Sequence, residues 1–68
     1  MESVYKVVEI IGTSEKSWEE AARVAVDTAS KSIRDLRVAE VKELDMKVEE
    51  GNLVFRVKLN ISFKYEGS

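Results

Sequence analysis

The sequence predicts an α+β fold, in which a βαββ subunit packs a three-stranded antiparallel sheet of order 1-3-2 against one helix. Residues 53–65 alternate strictly between apolar and polar side chains, which is the period of a strand that buries one face. Residues 17–34 repeat apolar side chains every three or four positions, which is the period of an amphipathic helix. β-branched residues on either side of that helix predict two further strands. We expect one domain, residues 1–68.

The first strand is predicted from Val4 to Ile11, where both faces are largely apolar and therefore need cover. Gly12 marks its end. The helix begins at Ser17, because Ser17 with Glu20 three residues later matches the capping box. Its apolar stripe, which places the single tryptophan in the helix–sheet core, consists of Trp18, Ala21, Ala22, Ala25, Ala29 and Ile33.

The second strand is predicted from Arg37 to Val48, and the turn Glu49–Asn52 joins it to the third. A right-handed crossover makes the first two strands parallel, and the hairpin return inserts the third between them. Alternation places one set of second-strand residues on a shared face: Val38, Glu40, Lys42, Leu44, Met46 and Val48. The other face carries Arg37, Ala39, Val41, Glu43, Asp45 and Lys47.

A chain of 68 residues is marginally stable as a monomer unless disulfides, metals or oligomerisation add support. The absence of cysteine excludes disulfides. A third strand of about 43 Å is also longer than the predicted helix of about 30 Å, so one helix cannot cover it. We therefore predict oligomerisation. The expected contacts between subunits are Val24, which is apolar on the polar side of the helix, and the strand residues Ile61, Phe63 and Tyr65.

Charge and composition exclude several classes of function. The 13 acidic and 11 basic residues give a net charge of −2, without the basic excess of a nucleic-acid-binding protein. No apolar run is long enough for a membrane span, and the first residues do not resemble a secretion signal. With neither cysteine nor histidine and no phosphate-binding loop, we do not expect an enzyme. The predicted location is cytoplasmic.

Three segments resemble signature stretches of the dodecins: residues 4–19, 36–41 and 62–66. The resemblance extends over nearly the whole chain in length and element order. It implies a hollow spherical homododecamer whose sheets face inward and whose helices face outward. Most dodecins bind two stacked flavins near a twofold axis, so the resemblance also implies a ligand pocket on the sheet.

The residues that would hold a flavin are altered. Val38 stands where the family carries the tryptophan that stacks on the flavin ring, and a valine has no π face. Arg56 replaces the glutamine at the flavin edge and offers hydrogen-bond donors only. Glu43 and Lys64 match positions near the ribityl chain and the phosphate. Binding of riboflavin or FMN is thereby weakened but stays an alternative.

These departures are similar to the calcium-binding branch of the family. Glu43, Asp45 and Glu49 point the same way along the second strand and could contribute to a site for calcium or another divalent cation. A solvated charged face is the competing interpretation. We therefore predict a dodecameric shell that binds or stores a small ligand or cation, with calcium favoured. A second alternative is a structural adaptor that binds a protein partner through the outer helix face: Arg23, Asp27, Lys31 and Arg34.

Overall fold

The computed structural model describes residues 2–65, which form three strands and one helix in the order βαββ. The elements are β1 (Tyr5–Ser14), α1 (Trp18–Ala29), β2 (Leu36–Glu49) and β3 (Asn52–Lys64). The sheet order is β1-β3-β2, and β3 is antiparallel to both neighbours. The predicted α+β fold and strand order are confirmed. No helix in this part of the chain is long and apolar enough to cross a membrane.

The helix begins where the sequence predicts and ends earlier. The hydroxyl of Ser17 accepts a hydrogen bond from the backbone N–H of Glu20 at 3.0 Å, which confirms the N-cap. The C-cap is Ser30, whose hydroxyl donates to the backbone oxygen of Asp27 at 2.9 Å. Twelve residues span about 18 Å, so the predicted length of about 30 Å was wrong and Ile33 lies outside the helix.

The core lies between α1 and the two strands β1 and β3. Alanine side chains on α1 let the helix approach the sheet closely. Gly12 lies inside β1 rather than at its end. A side chain is excluded there because a Cβ would overlap the backbone oxygen of Ala21 and come within 2.7 Å of the Ala25 Cβ. The buried hydrophobic residues of this core are Ala21, Ala25, Val57, Leu59 and Ile61.

Two irregularities in β2 change which of its residues share a face. The pairing with β3 shifts between Leu36 and Val38 and again between Val41 and Glu43, so each interval holds one extra residue. Directly opposed residues lie on the same side of a sheet. Leu44 is opposite Val57 on the helix side, whereas Val38 is opposite Ser62 on the other side. The prediction that Val38 and Glu40 share a face with Leu44 was therefore wrong.

The β2–β3 hairpin is long and closes through a two-residue turn. Glu50 and Gly51 have φ values of 34° and 85°, and both are positive, as a type I′ turn requires. The extended hairpin makes the subunit 51 Å long and only 20 Å by 16 Å across. Because α1 packs mainly on β1 and β3, most of the helix side of β2 has little cover from its own subunit.

The structure revises which residues need a partner chain. Ile61 was expected on the uncovered length of β3, but it is 0% exposed and packs in the core beneath α1. The prediction that Ile61 contacts another subunit was therefore wrong. The subunit still exposes 5364 Å², against about 4,300 Å² for a compact monomer of its mass. The exposed surface includes large apolar side chains on β2 and the hairpin: Val41, Leu44, Met46, Val48 and Leu53.

Replacing Gly12 with alanine tests the close contact between α1 and β1. The added methyl group would strike the backbone of Ala21, so the helix must move away from the sheet. We expect the free energy of unfolding to fall by about 1–3 kcal/mol, measured by urea denaturation. Thr13→Ala, at an exposed neighbouring position, is the control and should change it by less than about 0.5 kcal/mol. Equal stability of the Gly12→Ala protein and the native chain would contradict this packing.

Candidate functional site

The face of the sheet opposite α1, called the open face below, has no cover from its own subunit. Its residues are the cross-strand partners that lie on the side away from Val57, Leu59 and Ile61. From β1 they are Tyr5, Val7, Glu9, Ile11 and Thr13. From β2 they are Val38, Glu40, Glu43, Asp45, Lys47 and Glu49. From β3 they are Asn52, Val54, Arg56, Lys58, Asn60, Ser62 and Lys64.

Two ion pairs cross the middle of the open face between directly opposed residues. The Nε of Arg56 lies 2.9 Å from Oδ1 of Asp45, and its Nη2 lies 3.4 Å from Oδ2, so the guanidinium engages both carboxylate oxygens. The Nζ of Lys58 lies 3.1 Å from Oε1 of Glu43. The register places each pair face to face, so the backbone sets these partnerships.

A neighbouring row contains two carboxylates that the sequence did not suggest as site residues. Glu9 and Glu40 lie on either side of Asn60, on β1 and β2. Neither forms an ion pair with another residue of the described range 2–65. The sequence predicts the strand order and the hairpin turn, but it does not reveal the register shift near Lys42. That shift places Glu40 on the open face.

These rows form an acidic band across the sheet. The band contains four carboxylates and two positively charged side chains, Arg56 and Lys58. Its net charge stays negative even when the adjacent Lys42 is counted. The carboxylates are Glu9, Glu40, Glu43 and Asp45. Oxygen-rich, negatively charged surfaces of this kind suit hard divalent cations.

The acidic surroundings act on Lys58. Its hydrogen bond and charge interaction with Glu43, together with the nearby charge of Glu9, raise the pKa of the Lys58 ammonium group above its usual 10.5. These acidic neighbours therefore favour the protonated form of Lys58 further.

The residues expected to meet a flavin all lie on the open face, but they do not make a flavin pocket within one subunit. Val38 is 58% exposed, opposite Ser62, and Lys64 lies further along, opposite Tyr5. Arg56, at the position of the flavin edge, is held by Asp45. An arginine held by a carboxylate has fewer donors left for another ligand.

The three carboxylates suggested as one metal site do not form it within a subunit. Glu43, Asp45 and Glu49 share the open face, but Glu49 lies four residues beyond Asp45, which is about 13 Å along a strand. Glu49 also lies 3.2 Å from Lys47. Within residues 2–65, no three acidic side chains come close enough together to hold a metal ion. A site built from these residues requires more than one subunit.

Trp18 connects the helix to the strand that carries Asp45. Its indole Nε1–H donates to the backbone oxygen of Asp45 at 3.0 Å. The ring also packs edge-on against Phe55, with centroids 5.0 Å apart. Trp18 thus lies in the helix–sheet interface, as predicted, and it anchors the main chain of β2 behind the open face.

The remaining residues expected at subunit contacts lie at the margins of the sheet and helix. Val24 is partly exposed and lines a cleft between α1 and β1 with Ile11. Tyr65 is 53% exposed beyond the end of β3, and Phe63 is half-buried. Their role in assembly stays a prediction.

The comparisons with known proteins agree with this architecture. The dodecin family model matches residues 4–66, and the chain therefore belongs to the dodecin family. Dodecins are ligand-binding proteins rather than enzymes, and their structures are homo-oligomers. This confirms the resemblance that the sequence shows, and it confirms the expectation that the chain is not an enzyme.

Two relatives of known sequence differ in their degree of similarity. The calcium dodecin of Mycobacterium tuberculosis is 56% identical over 63 residues, which cover 91% of this chain and 89% of that protein. The dodecin of Thermus thermophilus is 40% identical over 67 residues, which cover 97% of each chain.

Solved structures of dodecins share the fold. The crystal structure of the calcium-chelating antigen calcium dodecin from M. tuberculosis, with a novel calcium-binding site, superposes with a TM-score of 0.88 at 54% identity. That match covers 97% of this chain and 96% of the other. Dodecin from Streptomyces coelicolor superposes with a TM-score of 0.91 at 34% identity, covering 97% and 96% of the two chains.

Alkaline pH tests the ion pair between Lys58 and Glu43. Because the folded-state pKa of Lys58 is raised, the stability that the pair contributes is present below pH 10.5 and is lost as the pH rises through the folded pKa. We expect Lys58→Met to lower the urea midpoint at pH 8, and this difference from the native chain to shrink above pH 10.5.

The measurement is urea denaturation in the presence of a chelator. Lys31→Met, at an exposed position that forms no ion pair within residues 2–65, controls for the loss of a lysine. A difference for Lys58→Met that grows between pH 9 and 11 would show that the sign is wrong.

Proposed function

We propose that this dodecin assembles as a hollow homododecamer that binds and stores a divalent cation, with calcium favoured, on the open faces of its sheets. The observation that carries the proposal is the acidic band, in which Glu9, Glu40, Glu43 and Asp45 outnumber the cations. Similarity to a calcium dodecin at 56% identity supports the choice of ion.

The geometry favours a cation over a flavin. Val38 offers no π face for ring stacking. Arg56 is engaged by Asp45, so its guanidinium is not free to serve the edge of a ring. The carboxylates of the band would also repel the phosphate of FMN. Flavin binding in an altered pocket remains the alternative, and a protein-binding adaptor remains the second one.

We propose the assembly because a single subunit leaves apolar surface exposed and does not supply enough ligands for a metal ion. The helix side of β2 leaves apolar residues exposed, including Val48 at 74%. Calcium requires six to eight oxygen ligands. No three acidic side chains of residues 2–65 lie close enough together to hold a metal ion. Symmetry would bring copies of the same carboxylates together, so we propose Glu43, Asp45 and Glu49 as ligands contributed by several subunits.

The expected cellular setting follows from composition alone. A cytoplasmic location without membrane partners stays a prediction, and the net charge of −2 supports the expectation that no nucleic acid is bound. Storage as distinct from buffering is likewise part of the proposal.

Native mass spectrometry of protein purified without added ligand tests the assembly and its cargo together. We expect twelve copies of 7.7 kDa, about 92 kDa, carrying small mass increments that a chelator removes. Adducts of several hundred daltons would support the flavin alternative instead. A dodecamer without any adduct, and without mass gain in calcium chloride, would favour the adaptor. A monomer or dimer would overturn the proposed shell.

Charges placed at the expected contacts test how the shell is held together. Val24→Asp and Tyr65→Asp each bury a carboxylate in a subunit interface if the proposal is right, and an unpaired buried charge is strongly unfavourable. We expect the dodecamer peak in size-exclusion chromatography to be lost while the circular dichroism spectrum is kept. Arg23→Glu, which changes the exposed neighbour of Val24, is the control and should leave the assembly intact. Intact dodecamers of both aspartate variants would overturn these contacts.

A further inference from the structure

The strand register places the two positively charged side chains of the acidic band opposite their carboxylate partners. Arg56 and Lys58 are two residues apart on β3, and each lies directly opposite its carboxylate on β2. Asp45 has both oxygens engaged by Arg56, and Glu43 accepts from Lys58. The two carboxylates nearest the middle of the band are therefore already neutralised by the chain itself.

We propose that Arg56 and Lys58 are internal counter-ions, which a divalent cation must displace before it binds Asp45 and Glu43. This inference rests on the proposed function and adds what regulates the site. A carboxylate paired with a positive side chain attracts a second cation less strongly, and the retained positive charge repels it. The two side chains thereby lower the affinity of the open face for calcium.

The exchange needs only side-chain movement. The side chains of Arg56 and Lys58 are 40% and 33% exposed, so both can rotate into solvent while their Cα atoms remain in the sheet. The main chain of Asp45 is held from behind by the indole of Trp18 at 3.0 Å. The backbone of Asp45 therefore stays in place while the counter-ion of its carboxylate leaves.

Isothermal titration with calcium chloride tests the inference on the native chain and on Arg56→Met and Lys58→Met. Methionine keeps an aliphatic stem and removes the charge. We expect each variant to bind calcium about fivefold more tightly or better, because the positive charge that neutralises the carboxylate is removed. Lys31→Met removes the same charge at an exposed position next to the end of α1 and should change the affinity by less than about twofold.

A second substitution tests whether the added affinity depends on the carboxylate that Lys58→Met frees from its ion pair. Adding Glu43→Gln to Lys58→Met removes the carboxylate that the first change freed. We expect the gain in affinity to disappear. Retention of the gain would overturn the inference, because the added affinity would then not come from Glu43. Circular dichroism and native mass of every variant confirm that the assembly is retained, and Lys58→Met decides alone if Arg56→Met does not fold.

The outcomes distinguish this inference from the proposed function. If the native chain binds calcium and neither methionine variant binds it more tightly, the counter-ion role is wrong and the proposed function stands. If only the methionine variants bind calcium, the counter-ion role is supported and calcium storage by the native chain is wrong. If no protein binds calcium, both are wrong.

Discussion

The pairing of β3 with both of its neighbours is the constraint on which the rest of the structure depends. Its alternating residues divide the subunit into two sides, with Val57, Leu59 and Ile61 towards the helix and Arg56 and Lys58 on the open face. Every row of the open face is assembled across this strand. A slip of one residue would exchange the core residues for the charged ones, so the hydrophobic core and the charged face specify the same register.

The helix stabilises this arrangement on one side and leaves a defined part of it uncovered. Small residues on α1 approach β1 so closely that Gly12 has no room for a side chain. The helix therefore lies over β1 and β3, and its Trp18 indole donates a hydrogen bond to β2. The apolar helix side of β2 remains exposed, which explains why a fold of this size belongs to a family of homo-oligomers.

The open face joins two properties that suit reversible storage. An excess of carboxylates attracts divalent cations, while the fixed partners of Asp45 and Glu43 keep the empty face from being strongly charged. The proposed storage role requires release as well as binding, and these fixed partners would favour release. The same pairs engage Arg56 with Asp45, which leaves fewer of its donors free for another ligand.

By itself the sequence determined the order of elements, the Ser17 cap and the central strand, because capping and alternation are local properties of neighbouring residues. Only the tertiary structure decided that Ile61 is buried and that Glu40 joins Glu9 across Asn60. The reason is that a register shift arises from pairing with a distant strand, and burial depends on where the helix lies. Neither leaves a signal in the spacing of nearby side chains.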